Sequence, residues 1–178
     1  MRSQKGTTNL EIMTAVLILG IVEAAVMPNF SSNDPKKLEV AARTITDAII
    51  FARAEAMRTK VSHGISTDIA NQRIRVYSLP AETAVYDVYH PIDKKIYDIQ
   101  FKNDTQTAGV DLASASYSFE GLYSNSSHLD FNANGMPKFS GGIPQRDYML
   151  TGAEMKLSFQ GHQRIISIAP ITGRVTVQ

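Results

Sequence analysis

The stretch that decides the reading runs Leu10-Glu11-Ile12-Met13-Thr14-Ala15-Val16-Leu17-Ile18-Leu19-Gly20-Ile21-Val22-Glu23-Ala24-Ala25-Val26-Met27, and its only charges are two carboxylates. Wound as an α-helix rising about 1.5 Å per residue, it extends roughly 27 Å, close to the ~30 Å hydrocarbon core of a bilayer. Arg2 and Lys5 precede it, the flank that holds a short basic tail in the cytoplasm and that a buried core helix would not need. A cleavable secretory signal shares the basic start, but Glu11 interrupts the head of the apolar run, where a signal peptide carries no charge. A carboxylate in a membrane segment costs up to about 2.5–3.5 kcal/mol at the bilayer centre, so its presence points to function.

Working outward, Pro28 removes a backbone donor and clashes with the preceding turn, which predicts a helix break there. Residues 30–35, Phe-Ser-Ser-Asn-Asp-Pro, read as a loop ending in an N-cap Asp34 and a proline at the first helical position. Beyond it Leu38, Ala41, Ala42, Ile45, Ala48, Ile49, Ala52 and Ala56 recur at steps of three and four. That spacing draws one apolar stripe along an amphipathic helix, with Arg43, Asp47, Glu55 and Arg58 mostly off it. Such a face normally docks on the chain's own following layer.

After Lys60 the period changes from helical to alternating. Candidate strands are residues 61–66, 73–79, 83–90, 96–102, 117–119, 129–131, 148–150, 154–160, 164–168 and 174–177. Turn signals such as Asn134-Gly135, Gly161-His162 and Thr172-Gly173 separate them. The expected fold is therefore α+β: an N-terminal helix, membrane-spanning then amphipathic and interrupted between Pro28 and Pro35, packed on an antiparallel β-sheet head.

The N-terminal residues resemble the type IV pilin-like proteins, including the pseudopilins of type II secretion. Lys5-Gly6, Thr8, Leu10, Glu11, Gly20 and Pro28 fall in the register of that family, whose basic leader ends in a glycine cut by a prepilin peptidase. Thr7, Asn9 and Glu23 depart from its pattern. Three further segments are similar to the H-type minor pseudopilins and their FimT-like relatives: residues 51–59 (FARAEAMRT), 129–137 (LDFNANGMP) and 165–177 (IISIAPITGRVTV).

The resemblance implies a leader of residues 1–6 cleaved between Gly6 and Thr7, an assembly helix over 7–29, an amphipathic helix over 30–60 and a periplasmic head over 61–178. It implies a minor pseudopilin in the inner membrane that co-assembles with other major and minor pseudopilins for protein export. Its further partners would be the peptidase, the inner-membrane assembly platform with its motor, and membrane lipid. The alternative is a FimT-like minor pilin of a type IV or competence pilus, with DNA as its partner. Cleavage would create an α-amino group at Thr7, four residues before Glu11. In the family a neighbouring subunit's amine neutralises this carboxylate and sets subunit register, and only Glu11 takes that role here. Losing Arg2 and Lys5 would leave 16 basic and 17 acidic residues, so the formal +1 of the full chain is mainly an orientation signal.

Other chemistries find little support. With no cysteine, thiolate metal sites, disulfides and thiol nucleophiles are excluded. His63, His90, His128 and His162 lack metal-ligand spacing, Asp93, Asp98, Asp104 and Asp111 miss the EF-hand pattern, and no nucleotide or hydrolase motif occurs. The expectation is a structural protein without catalytic residues, metal or cofactor. The final 58 residues are mildly basic, and Arg164 and Arg174 are the weak nucleic-acid contacts the sequence offers, since phosphate binding needs several such charges on one face.

Overall fold

The computed structural model describes residues 9–26, 34–122, 124–125, 127–141 and 146–178. They fall into two compact units, Met1–Asn33 and Asp34–Gln178. The first contains helix α1, Asn9–Val26. The second opens with α2, Asp34–Thr59, starting within one residue of the position set by Asp34 and Pro35. α2 ends where Lys60 turns left-handed at φ +61° and its N–H still reaches the carbonyl of Ala56 at 3.1 Å. Arg58 in the last turn suits the negative end of the helix dipole.

Ten antiparallel strands follow: β1 His63–Asp68, β2 Arg73–Ser78, β3 Asp98–Gln100, β4 Asp111–Phe119, β5 Ser124–Asn125, β6 His128–Phe131, β7 Pro137–Gly141, β8 Arg146–Phe159, β9 His162–Ile168 and β10 Val175–Val177. The ladder runs β10-β9-β8-β7-β6-β1-β2-β3, with β4 paired to β8 and β5 paired to β4. The 14-residue β8 joins the parts, bonding β7 through its first residues and β4 and β9 through the rest.

All eight residues of the predicted α2 stripe are buried, each at 1% exposure or less. They pack on Ile65, Ile74, Val76, Leu129, Phe131, Met155, Leu157 and Ile166 from the sheet in a single hydrophobic cluster. Truncating one of the larger members, such as Ile45→Ala, removes about 2–5 kcal/mol by the general cost of a core cavity.

Two bulges keep that core intact. In β4 the inward residues are Leu112, then Ala115, Tyr117 and Phe119; in β8 they are Leu150, then Ala153, Met155, Leu157 and Phe159. The parity changes in both strands where the register shifts, between Leu112 and Ser114 and between Leu150 and Gly152. Each bulge adds one residue on one strand and returns the apolar set to the inner face.

The strand expected over residues 83–90 does not form. After the 3-10 turn Pro80–Glu82, with Ala81 at φ +51°, this segment makes only two isolated bridges, Ser78 with Val85 and Tyr89 with Ile96. The proline-led β7 was not expected, and the two strands expected over 148–150 and 154–160 are both parts of β8.

Candidate functional site

The N-terminal helix carries the residues to which the sequence assigns assembly. Glu11 lies in the first turns of α1. Gly6, Thr7 and Pro28 lie outside the described residues. Along α1 Leu10, Ile12, Met13, Val16, Leu17 and Ile18 are all exposed, Leu10 by 76% and Met13 by 73%. At about 100° per residue these six large apolar positions point to several sides of a helix, so the helix is apolar around its circumference rather than along a stripe. Among the described residues no helix is long and apolar enough to cross a membrane. For α1 the described side chains end at Ile18, and the apolar run of the sequence continues to Met27.

In the head, a set of buried and half-buried polar groups surrounds Asp130, which is 1% exposed. Its Oδ1 accepts the Tyr77 hydroxyl, and its Oδ2 accepts the N–H of Ser140 at 3.1 Å. Burial pushes the Asp130 carboxyl up to about 6, although both hydrogen bonds act in the opposite direction. Burial, with Asp130 next to it, also drives the Tyr77 phenol well above its ordinary value. Lys138 stands opposite Asp130 in the β6–β7 register but turns to Asp147, Nζ to Oδ1 at 2.7 Å. The His128 ring packs edge-on against Tyr77 with centroids 5.6 Å apart, and burial lowers its pKa. Arg75 covers the Tyr86 ring at 4.0 Å.

Each group in this set has a partner within the fold. Ser127 Oγ and His128 Nδ1 are 2.9 Å apart, but they belong to adjacent residues, and the other ring nitrogen faces the Tyr86 hydroxyl at 3.5 Å, with no carboxylate bonded to it among the described residues. Nucleophilic catalysis needs such a third group and an oxyanion site. The arrangement holds β2, β6 and β7 together, and the sequence missed it because Tyr77 and Asp130 are far apart in the chain.

The other sequence candidates are spread over the head. Asp98 takes a two-point ion pair from Arg73, with both bonds at 2.7 Å; burial alone would raise its carboxyl, but Arg73 and Gln100 bring it below the ordinary range. Asp93, Asp98 and Asp104 border a shallow cleft of about 400 Å³ with His90. Among the described residues no three acidic or imidazole groups stand together to hold a metal ion.

Arg164 and Arg174 are not brought together. Arg164 pairs across to Leu157, an inward residue, and its Nε lies 3.9 Å from Glu39 of α2. Arg174 is exposed and borders the opposite, hydroxyl-rich face with Ser114, Ser116, Ser118, Glu154, Ser167 and Thr176. With Lys138 committed to Asp147, these positive charges make no single phosphate-tracking stripe.

A helix laid across a curled antiparallel sheet, with a second helix ahead of it in the chain, is a pilin-like fold. The chain is similar to solved structures of the minor pseudopilin EpsH from the type 2 secretion system of Vibrio cholerae. One has 13% identity, a TM-score of 0.51 and coverage of 80% of this chain and 96% of the other. A second structure of that protein gives 12%, 0.51, 80% and 93%. A weaker likeness, with TM-score 0.47 and 16% identity over 81% of this chain and 90% of the other, is to the type IV minor pilin FimU of Pseudomonas aeruginosa; at that score it carries no weight. No protein-family model matches the sequence, and no curated protein does. The likeness shows the fold, a pilin-like head.

Proposed function

We propose that this chain is a minor pseudopilin of a type II secretion pseudopilus, held in the inner membrane by the helix over residues 7–29 with its head in the periplasm. The observation that carries this reading is the fold of Asp34–Gln178, shared with a minor pseudopilin and preceded by a helix with apolar residues on several sides. In this reading a peptidase cuts between Gly6 and Thr7, and α1 then packs beside the helices of other pseudopilins in lipid. Glu11 is paired by a neighbour's new α-amino group, because an unpaired carboxylate near the membrane boundary is expensive.

The head acts as a rigid recognition body, and its polar groups serve structure rather than chemistry. The test is removal of the gene from its host, with protein export and piliation both measured. Lost export with normal pili supports the reading. Lost pili or DNA uptake with normal export moves the chain to a minor pilin.

A further inference from the structure

The segment between β2 and β3 gave no strand, yet it is firmly built. Tyr89 bridges Ile96; the N–H of His90 reaches the Lys95 carbonyl at 2.7 Å, and that of Tyr97 reaches the Val88 carbonyl at 2.8 Å. Lys94 takes a left-handed φ of +57°, and its N–H reaches the carbonyl of His90 at 3.1 Å, closing the tip. Tyr97 anchors the hairpin to α2 against Phe51, with ring centroids 5.2 Å apart, and His90 packs edge-on against the same Tyr97. The tip therefore projects in a fixed shape.

What it projects is apolar. Ile92 is 84% exposed, Tyr89 57% and Ile96 51%, although leaving three such side chains in water is unfavourable. The charges beside them are equally specific. Asp93 is engaged within the tip, its Oδ1 accepting the Lys95 N–H at 3.2 Å and lying 3.2 Å from His90. Lys94 and Lys95 are exposed and form no ion pair with a described residue.

We propose that this tip docks into an apolar groove rimmed by carboxylates on a different protein subunit, Ile92 and Tyr89 filling the groove while Lys94 and Lys95 meet the rim. A buried aromatic and aliphatic anchor with a charged periphery is the general anatomy of a protein interface. Pre-organisation of the tip reduces the ordering cost of binding. Charge argues against the other occupants. Beside the exposed apolar strip on α2, Ile50 and Met57, the carboxylates Glu39 and Glu55 are already paired with Arg43 and Arg58, leaving Asp47, so that face of a second copy makes a poor acidic rim. The two lysines of the tip fall short of the cluster of about four or more basic residues that recruits a chain to an anionic lipid surface. The docking deepens the proposed function by assigning the head a partner surface, and rests on it only for the compartment in which that partner is found.

The test is photocrosslinking of the full chain in its host cells, with benzoylphenylalanine at Tyr89, aromatic for aromatic, and a parallel probe at Val16 of α1. The expected result is one covalent adduct from Tyr89 whose partner peptide, identified by mass spectrometry, contains apolar residues and Asp or Glu. Its yield should fall about tenfold in an Ile92→Asp background and at least about threefold in Lys94→Glu/Lys95→Glu. An adduct to lipid or to a second copy, no adduct from Tyr89, or yields unmoved by these changes would overturn the proposal. Capture of another pilin-like subunit by Val16 alone would overturn the docking while leaving the proposed function intact; silence from both probes would count against both.

Discussion

Arg53 donates its Nε–H to the backbone carbonyl of Gly135 at 3.0 Å, and the same side chain lies 3.3 Å from where a β-carbon on Gly173 would stand. Three segments far apart in sequence, residues 51–59, 129–137 and 165–177, thus meet at one side chain on α2. These are the head segments that resemble the minor pseudopilins. In this chain they form a packing device that fixes the turns at Gly135 and Gly173 against the helix.

Arg53→Ala should destabilise the head by about 1–3 kcal/mol, the cost of an unpaired carbonyl together with the lost packing of the aliphatic stem. Arg53→Lys should recover part of the packing without the directed bond. Urea unfolding of a chain beginning at Asp34 measures both, and an Arg53→Ala midpoint equal to wild type would refute the clamp.

Gly135 and Gly173 hold left-handed φ of +75° and +62°. An added β-carbon on Gly135 would stand 2.8 Å from Met57 Sδ and 3.1 Å from Arg53 Nε. Gly135→Ala should therefore cost more than the ~1–2 kcal/mol of the backbone alone, Met57 yielding only in part. The thermal midpoint should fall further than in Gly121→Ala, where φ is +76° and no atom lies within 4 Å of the added carbon.

How much of this was legible in the sequence depends on the range of the forces involved. The stripe from Leu38 to Ala56 was fully readable, because a helix face is set by local spacing. The β head was readable as a class, but β8 appeared as two strands because its inward set changes parity at Leu150 and Ala153. A bulge is fixed by the partner strand, here β4, and no local period announces it. Residues 83–90 looked like a strand because Val85, Val88 and Tyr89 suit one, yet the segment between Ala81 and Pro91 is tied down only by isolated bridges and single backbone bonds. Around Asp130 the single sequence gives no signal at all: Tyr77 and Asp130 come together through the β1–β2 and β1–β6 registers.

Asp130 predicts a pH dependence with a definite sign. Its folded carboxyl, near 6, lies above the ordinary value of 3.8, so the folded state binds more protons between those limits. Stability should fall as pH rises through that window and level off above it, by something on the order of 3 kcal/mol. His128, lowered from 6.5 by burial, acts in the opposite sense over the upper part of the window. The Asp130 contribution therefore appears in the difference from Asp130→Asn, whose deficit should shrink between pH 4 and 7 in urea titrations. A deficit constant across that range would refute it.

Gly6→Ala should leave the leader attached, read as an unshifted band on immunoblots of membranes carrying the peptidase. Normal processing would count against the pilin-like reading. Glu11→Ala should insert and be processed, yet reduce filament incorporation and export about tenfold or more; wild-type export would remove the carboxylate from assembly.

A chain beginning at Asp34 should bind duplex DNA no more tightly than about 10⁻⁴ M at low salt, because Arg164 and Arg174 face opposite sides of the sheet. Fluorescence anisotropy decides it, and a salt-sensitive affinity lost in Arg174→Ala would restore a nucleic-acid role.

The bonding of β8 to β4, β7 and β9 makes the head indivisible. No hairpin in it is a self-sufficient piece, and ladder partners such as Ile65 and Leu129 must find each other across about 64 residues of chain. Such long-range closure makes for slow assembly, in the millisecond-to-second range for chains of this kind. With no cysteine to trap intermediates, the head should unfold and refold in one step, and a protease should find it either whole or gone.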